Sequence, residues 1–312
     1  MPVYLPQKPQ IAAVIVSFNP DLSIMSQQLA ALAPQIQRLI VVDNGSQPAL
    51  RERLATMVND VGGEYHMQAD NPGLAAAQSL GIQRALAEDA SHVLLLDQDS
   101  LPASGMVNKL LAVLDELTAQ GEAVAAVGPR LISARDGRST PFARFHFWGV
   151  EKIACADACV SIRTDFLIAS GLLTPASVYR SVGLPEEGLF IDNVDLEWSF
   201  RAQSHGYRLY GVCDAILTHR LGEQSAYLPG LGSLGPIHIH GPTRQYYQTR
   251  NRLSLYGRSY CPWAWKWQDF PRAVFKLIYF STMVPPRWRN ARMMARGVLD
   301  ALQGKTGRCP LQ

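Results

Sequence analysis

Val93-Leu94-Leu95-Leu96 is a run of four apolar residues, and the chain leaves it through Asp97-Gln98-Asp99-Ser100. Apolar side chains on both faces of a strand place it inside a sheet that is covered on both sides. Such a sheet needs helices on each face and crossover connections to carry them there. Ligands of open sheets of this kind bind beyond the carboxyl ends of the strands. Asp97 and Asp99 sit at that end one residue apart, where two carboxylates repel unless a cation lies beside them. A hard divalent ion, Mg²⁺ or Mn²⁺, itself bound to phosphates, would satisfy both. A polar turn in which Asp99 and Ser100 cap a helix beginning after Pro102 would explain the pair equally well when it is taken alone.

Upstream the same pattern recurs. Ile11 to Val16 ends in Ser17-Phe18-Asn19-Pro20, and Leu39 to Val42 ends in Asp43-Asn44-Gly45-Ser46. Glu64 to Gln68 is a weaker strand, followed by Asp70-Asn71-Pro72-Gly73. Helical spacing fills the intervals at Leu22 to Leu32, Ala49 to Val58 and Leu74 to Ala87, with Asp21 or Ser23 as the first cap. Strands alternating with helices predict an α/β fold with a parallel sheet whose loops line one edge. On that edge Asp43 is either a turn residue beside Asn44-Gly45 or an acceptor for the imide N–H of a uracil or thymine. Asn71-Pro72-Gly73 either starts a helix or presents that helix's free N–H groups and dipole to a diphosphate.

Further on, Met106 to Leu117 reads as a helix and Val124 to Val127 as a strand. Gly137 to Gly149 is loop-rich, Ile153 to Ile162 reads as a strand, and a helix is expected near Pro175 to Ser181. Three carboxylates, Asp192, Asp195 and Glu197, then fall within six residues of a helix start, interleaved with Phe190, Ile191, Val194, Leu196 and Trp198. Acids are common in a first helical turn, but acids set among apolar neighbours are also what a general base requires. With Asp192 and Asp195 three apart on one helical face, both would point at one cleft, and their repulsion would raise one pKa. Glu197 would lie on the helix surface or pair with Arg201 at i+4. Tyr207 to Val212 reads as a strand that leads to His219.

Composition limits the class of protein. The 312 residues are 47% hydrophobic and 18% charged, with no uninterrupted apolar stretch long enough to span a bilayer and no signal-peptide pattern before Ile11. Five scattered cysteines form no Cys-x-x-Cys pair or zinc spacing, which predicts free thiols in a reducing compartment. The net charge of +3 is unevenly spread. Residues 243–312 hold thirteen Lys/Arg against Asp269 and Asp300, a charge of +11, so the remainder carries −8. The tail also contains Trp263, Trp265, Trp267 and Trp288. Such a tail predicts docking on an anionic membrane face from about Tyr246 to Ala301, without spanning it. A set of solvated and packing helices is the plain alternative. Nucleic-acid binding through interleaved basic and aromatic residues is disfavoured by the enzyme-like body.

The ordered set Ser17-Phe18-Asn19-Pro20, Asp43-Asn44-Gly45-Ser46, Asn71-Pro72-Gly73, Asp97-Gln98-Asp99, Phe190-Ile191-Asp192-Asn193-Val194-Asp195-Leu196-Glu197-Trp198 and His219-Arg220-Leu221-Gly222 resembles the family 2 glycosyltransferases. Within that family it is most similar to the bacterial rhamnosyltransferases. The resemblance covers residues 11–222 and implies a GT-A fold. In it a Rossmann-like nucleotide-sugar half, about 1–127, joins an acceptor half, about 128–242, ahead of the basic helical tail of 243–312. It implies inverting transfer from dTDP-L-rhamnose to a glycan or polyprenyl-linked saccharide in bacterial surface polysaccharide synthesis. The enzyme would be cytoplasmic, on the inner face of the membrane. Phe18, Asn19, Asp43, Asn71, Gly73, Asp97 and Gln98 would bind the nucleotide sugar. Asp99, Asp97 and His219 would hold Mg²⁺ or Mn²⁺. Many relatives place their base where this chain has Asn193, so Asp195, or else Asp192, would take that role. A UDP-hexose or UDP-galactofuranose donor, and an inactive nucleotide-binding relative, are the rival readings. A sugar nucleotidyltransferase is disfavoured because no Gly-rich basic loop follows the first strand.

Overall fold

A computed structural model describes residues 9–156, 159–219, 225–226, 237–238 and 240–310. The amino-terminal half alternates as expected, with β1 (Ile11–Ser17), α1 (Leu22–Leu32), β2 (Arg38–Asp43), α2 (Pro48–Asp60), β3 (Glu64–Met67), α3 (Leu74–Ala87) and β4 (His92–Asp97). Asp21 caps α1 by accepting from the Ser23 and Ile24 N–H groups. After β4 come β5 (Ser100–Pro102), α4 (Met106–Ala119), β6 (Val124–Ser133), β7 (Phe142–His146), β8 (Gly149–Ile153), β9 (Ser161–Thr164) and β10 (Leu172–Pro175). The described chain continues through α5 (Ala176–Val182), α6 (Val194–Ser204), β11 (Arg208–His219), α7 (Pro242–Tyr256), α8 (Trp263–Thr282) and α9 (Arg287–Leu302).

The main sheet runs β3-β2-β1-β4-β10-β6-β11-β5, with β9 also paired to β11. Its first four strands are parallel, and β10 is antiparallel to both β4 and β6. The apolar runs are explained by two covered faces. Val14 and Val16 of β1 pack with Ala77 and Ile82 of α3, while Ala13 and Ile15 pack with Met25 and Leu29 of α1. Gly81 lets α3 lie against Val14, because a Cβ there would fall 2.2 Å from Val14 Cγ1.

Three local expectations are corrected. The stretch from Gly137 to Gly149 contains an antiparallel hairpin with its continuation, β7 with β8, rather than an extended loop. Ile153 to Ile162 is not one strand, since β8 ends at Ile153 and β9 begins at Ser161. Nor are all the cysteines free, because Cys155 is disulfide-bonded to Cys213 across the β8–β9 connection and β11. Cys159, Cys261 and Cys309 are free thiols. Their spacing carried no signal for the bridge because the fold, not the sequence separation of 58 residues, brings the two together.

The basic tail forms α7, α8 and α9, and several of its charges are spent inside the protein. Arg250 is fully buried, Arg252 pairs with Asp269 at 2.8 Å, and Arg296 and Lys305 flank Asp300. Trp265 and Lys266 are buried too, so of the three clustered tryptophans only Trp263 and Trp267 reach solvent. No helix among the described residues is long and apolar enough to cross a membrane.

Candidate active site

The carboxyl ends of β1, β2 and β4 meet at one edge. Asp97 is the last residue of β4, and the backbone turns at once into β5, which pairs antiparallel with the end of β11. That pairing sets Ser100 opposite His219, although 119 residues separate them. His219 Nδ1 therefore lies 3.4 Å from Asp99 Oδ1 and 2.9 Å from Ser100 Oγ. Ser100 Oγ in turn contacts Ser170 Oγ, which steadies the pair from beneath. Asp97, Asp99 and His219 each present a ligand atom, all within 4.8 Å of one another. Two carboxylates and one imidazole in that space suit a divalent ion of the Mg²⁺ or Mn²⁺ type. Ser100 is the start of a strand rather than a helix cap, so the capping alternative fails. Arg220, Leu221 and Gly222 lie outside the described residues.

The residues expected to bind the nucleotide sugar form a second group. Gln98 closes the edge by accepting from the Phe18 N–H at 2.7 Å and donating back to the Phe18 carbonyl at 3.3 Å. Its amide thus fixes the β1 loop. Asn19 has a φ of +47°, accepts from the Gln47 N–H and donates its own N–H to Ser46 Oγ. Phe18 stands 45% exposed above this loop. Asp43 is fully buried, with Ser46 on one carboxylate oxygen and the Tyr65 hydroxyl on the other at 2.7 Å. Asn71 accepts from Gly73 N–H. Gly73, at φ +107°, presses on Phe190, where a Cβ would lie 2.6 Å from the ring and from the carbonyl oxygen. The Ala75 N–H of the first turn of α3 donates to the Phe190 carbonyl at 3.3 Å. That N–H is not left free for a diphosphate.

The acidic segment differs more from expectation. Asp192 does not share a face of α6 with Asp195, because the helix begins at Val194. Phe190, Asp192 and Asn193 all have positive φ, at +66°, +64° and +61°. Three such non-glycine residues within four positions form a strained turn that the surroundings must hold. Arg244 of α7 grips Asp192 through Nε and a terminal nitrogen at 3.1–3.2 Å, and Gln248 adds a contact at 3.4 Å. Asp195 instead is half-buried on the first turn of α6, and burial together with Asp97 and Asp192 pushes its pKa up to about 7. Burial and the neighbouring Asp99 likewise raise the pKa of Asp97, against the opposing charge of His219. Glu197 is not a surface acid. It is fully buried, paired with Arg201 at i+4 as anticipated, at 2.8 and 3.0 Å, and takes the Tyr260 hydroxyl at 2.6 Å.

Sequence reasoning missed the residues that hold this turn. Asn251 Nδ2 lies 2.7–2.9 Å from the carbonyls of Leu189, Ile191 and Asp192. Arg250 donates to the Gly188, Leu189 and Gly307 carbonyls and, through Nε, to Asn251 Oδ1. Phe190 stacks on Tyr247 with ring centroids 4.7 Å apart. In the sequence Arg244 and Arg250 were two of thirteen tail charges. The available signal was the i, i+4 spacing of Arg244 and Gln248, which puts both on one face of α7.

Residues 13–166 match the sequence profile of glycosyl transferase family 2. This is a glycosyltransferase with a family 2 domain. The dTDP-rhamnosyl transferase RfbF of Shigella flexneri is 28% identical over 300 residues, which cover 95% of this chain and 96% of that protein. Among solved structures, GalNAc-T7 with UDP, GalNAc and Mn²⁺ superimposes with a TM-score of 0.61 at 15% identity, covering 97% of this chain and 59% of the other. TarS 1-349 of S. aureus in complex with UDP-GlcNAc gives 0.54 at 14% identity, covering 95% and 92%. The glycosyltransferase therefore has the GT-A fold, and its family 2 domain together with the likeness to RfbF supports transfer by an inverting route.

Proposed function

We propose that this glycosyltransferase moves L-rhamnose from dTDP-L-rhamnose to a hydroxyl of a glycan or polyprenyl-linked saccharide, with Asp195 as the base. One observation carries the choice of Asp195. Asp192 is occupied by Arg244 and Gln248, whereas Asp195 has no ion pair among the described residues and lies in the field of Asp97, with burial raising its pKa in the metal-free protein. Asp195 takes the acceptor hydroxyl's proton as that oxygen attacks the anomeric carbon from the side opposite the leaving nucleotide. Asp97, Asp99 and His219 would hold Mg²⁺ or Mn²⁺, which when bound neutralises the departing diphosphate. Phe18 and Asn19 would line the nucleoside site, with Gln98 bracing their loop and the buried Asp43 holding the neighbouring turn through Ser46 and Tyr65. The likeness to RfbF supports the dTDP-L-rhamnose donor.

The acceptor would be met at a membrane surface on the cytoplasmic side. Trp263, Trp267, Phe270, Val274 and Ile278 recur along α8 and are all exposed. Arg272, Arg287, Arg289 and Arg292 stand exposed beside them or on α9. An apolar stripe flanked by cations suits an anionic headgroup layer.

Nucleotide release from dTDP-L-rhamnose, measured beside UDP-hexoses and UDP-galactofuranose, tests the donor. Turnover of a UDP-sugar with none of dTDP-L-rhamnose would overturn it, and release from no donor would favour the inactive reading. Cosedimentation with anionic liposomes should fall when Trp263 and Trp267 are both changed to Ser, and unchanged partitioning would remove the membrane assignment.

A further inference from the structure

A cavity of about 200 Å³ lies between α7, α8 and α9, away from the Asp97, Asp99 and His219 cluster. One part of its wall is apolar, formed by Leu253, Phe270, Val274, Leu277, Met294 and Val298. The other part is polar, formed by Gln245, Gln248 and Lys276. Gln245 is 1% exposed, yet neither its side-chain oxygen nor its side-chain nitrogen has a hydrogen-bond partner. A buried amide left this way costs free energy unless something in the cavity meets it.

Lys276 adds a charge to the same end. Its near neighbours in the field are Arg252, Asp269, Asp192 and Arg272. Asp269 is already taken by Arg252 and by the Tyr256 hydroxyl, and Asp192 by Arg244 and Gln248. Lys276 is left without an ion pair among the described residues. Burial lowers its pKa to about 8, so the amine is charged at neutral pH but poorly solvated, which favours an anion beside it.

The cavity is connected at both ends. Gln248 lines it and also reaches Asp192, so its polar end abuts the catalytic turn. Phe270, Val274 and Leu277 line it and are exposed, so its apolar end opens on the α8 stripe. An occupant therefore needs an apolar chain that leaves toward α8 and an anionic head near Lys276 and Gln245.

We propose that this cavity binds the phosphate head and first apolar units of the lipid that carries the saccharide acceptor, delivering the sugar past Gln248 to Asp195. This rests on the lipid-linked acceptor of the preceding reading. The volume holds only a short section of such a chain, and the rest would remain in the bilayer.

The test is calorimetric binding of farnesyl diphosphate to the full chain in the presence of chelator, with inorganic diphosphate and dioleoyl phosphatidylglycerol as comparison ligands. Val298→Trp fills the apolar end, and Lys276→Met removes the charge while keeping the length of the side chain. We expect each to weaken farnesyl diphosphate at least tenfold, with dTDP binding in Mn²⁺ and the melting temperature unchanged. Inorganic diphosphate should bind at least tenfold more weakly than the farnesyl ester. Equal farnesyl diphosphate affinity in wild type and Lys276→Met overturns the proposal, even if Val298→Trp does not fold. Equal affinity for inorganic diphosphate overturns it, and so does equal affinity for phosphatidylglycerol, which would make the cavity a general lipid contact. Because the binding needs no donor, isoprenoid binding without release from dTDP-L-rhamnose would refute the donor reading alone. Donor turnover without isoprenoid binding would refute the cavity alone.

Discussion

The two sides of the active-site edge are built in opposite ways. On the proposed nucleotide side, Phe18, Asn19, Asp43, Asp97 and Gln98 end a strand or lie within two residues of one, and the pairing of those strands brings their partners together. Asp43 is held by Ser46 from its own turn and Tyr65 from the adjacent strand. On the acceptor side, the turn from Gly188 to Asn193 is held by Asn251 and Arg250, about sixty residues later. The first side is a product of the sheet, and the second is a product of α7. Damage to α7 should therefore reach catalysis without reaching the nucleotide.

The largest effect expected falls on Asp195. Asp195→Asn should lower turnover by roughly 10²–10⁴-fold, the usual cost of a lost general base, while calorimetry shows dTDP and metal still bound. Asp192→Asn should cost less, because Arg244 and Gln248 give that carboxylate a positioning task. Equal losses in the two variants would erase the distinction drawn between them.

Asn251→Ala comes next. It releases three carbonyls of a turn that is strained at Phe190, Asp192 and Asn193, and a displacement of about 1 Å there would cost on the order of 10²-fold in kcat. The dTDP affinity should stay within twofold of wild type, a bound set roughly by the accuracy of such cycles. A large loss of dTDP affinity would show that the two sides are not separable.

The pH profile sharpens the same contrast. Asp195 must be ionised to act, and its pKa is raised to about 7. Below that value kcat/KM should fall by about tenfold per pH unit, and a cation at Asp97 and Asp99 would draw the break lower. In the metal-free protein the sign for stability follows from proton binding. Between the ordinary aspartate value of 3.8 and about 7 the native state keeps a proton that the unfolded chain has lost. Stability therefore falls as pH rises through that window. Melting curves of wild type and Asp195→Asn should converge below the window and diverge above it.

The smallest effect should come from Ser46→Ala on the nucleotide side. It removes the hydrogen bond that Ser46 Oγ donates to Asp43 and the one it accepts from the Asn19 N–H, and a net of about 1–2 kcal/mol would appear in dTDP affinity with kcat unchanged. A kcat defect here would break the comparison from the other direction.

The sheet was legible because its strands are apolar on both faces, and such runs have few places to go except a covered interior. The order of strand, polar turn and helix from Ile11 to Asp97 carried the nucleotide half, and the carboxylate pair at Asp97 and Asp99 carried the candidate metal site. Asp192 was misplaced for an identifiable reason. Helical spacing put it on α6, but the backbone enters that helix through left-handed residues that no periodicity reveals. For Glu197 the i+4 spacing gave the partner, Arg201, but not the burial, which the Tyr260 hydroxyl from the tail completes.

What the sequence determined by itself is the local content: which segments are strands, which residues end them, and which acids are available. Only the tertiary structure decided which of those acids work together. His219 reaches Asp99 through the antiparallel pairing of β5 with β11, and Asp192 is gripped by Arg244 of a helix from the tail. Strand and helix propensities depend on neighbours a few residues apart, so they can be read along the chain. The grouping of charges depends on distances across the fold, which the burial of whole faces sets.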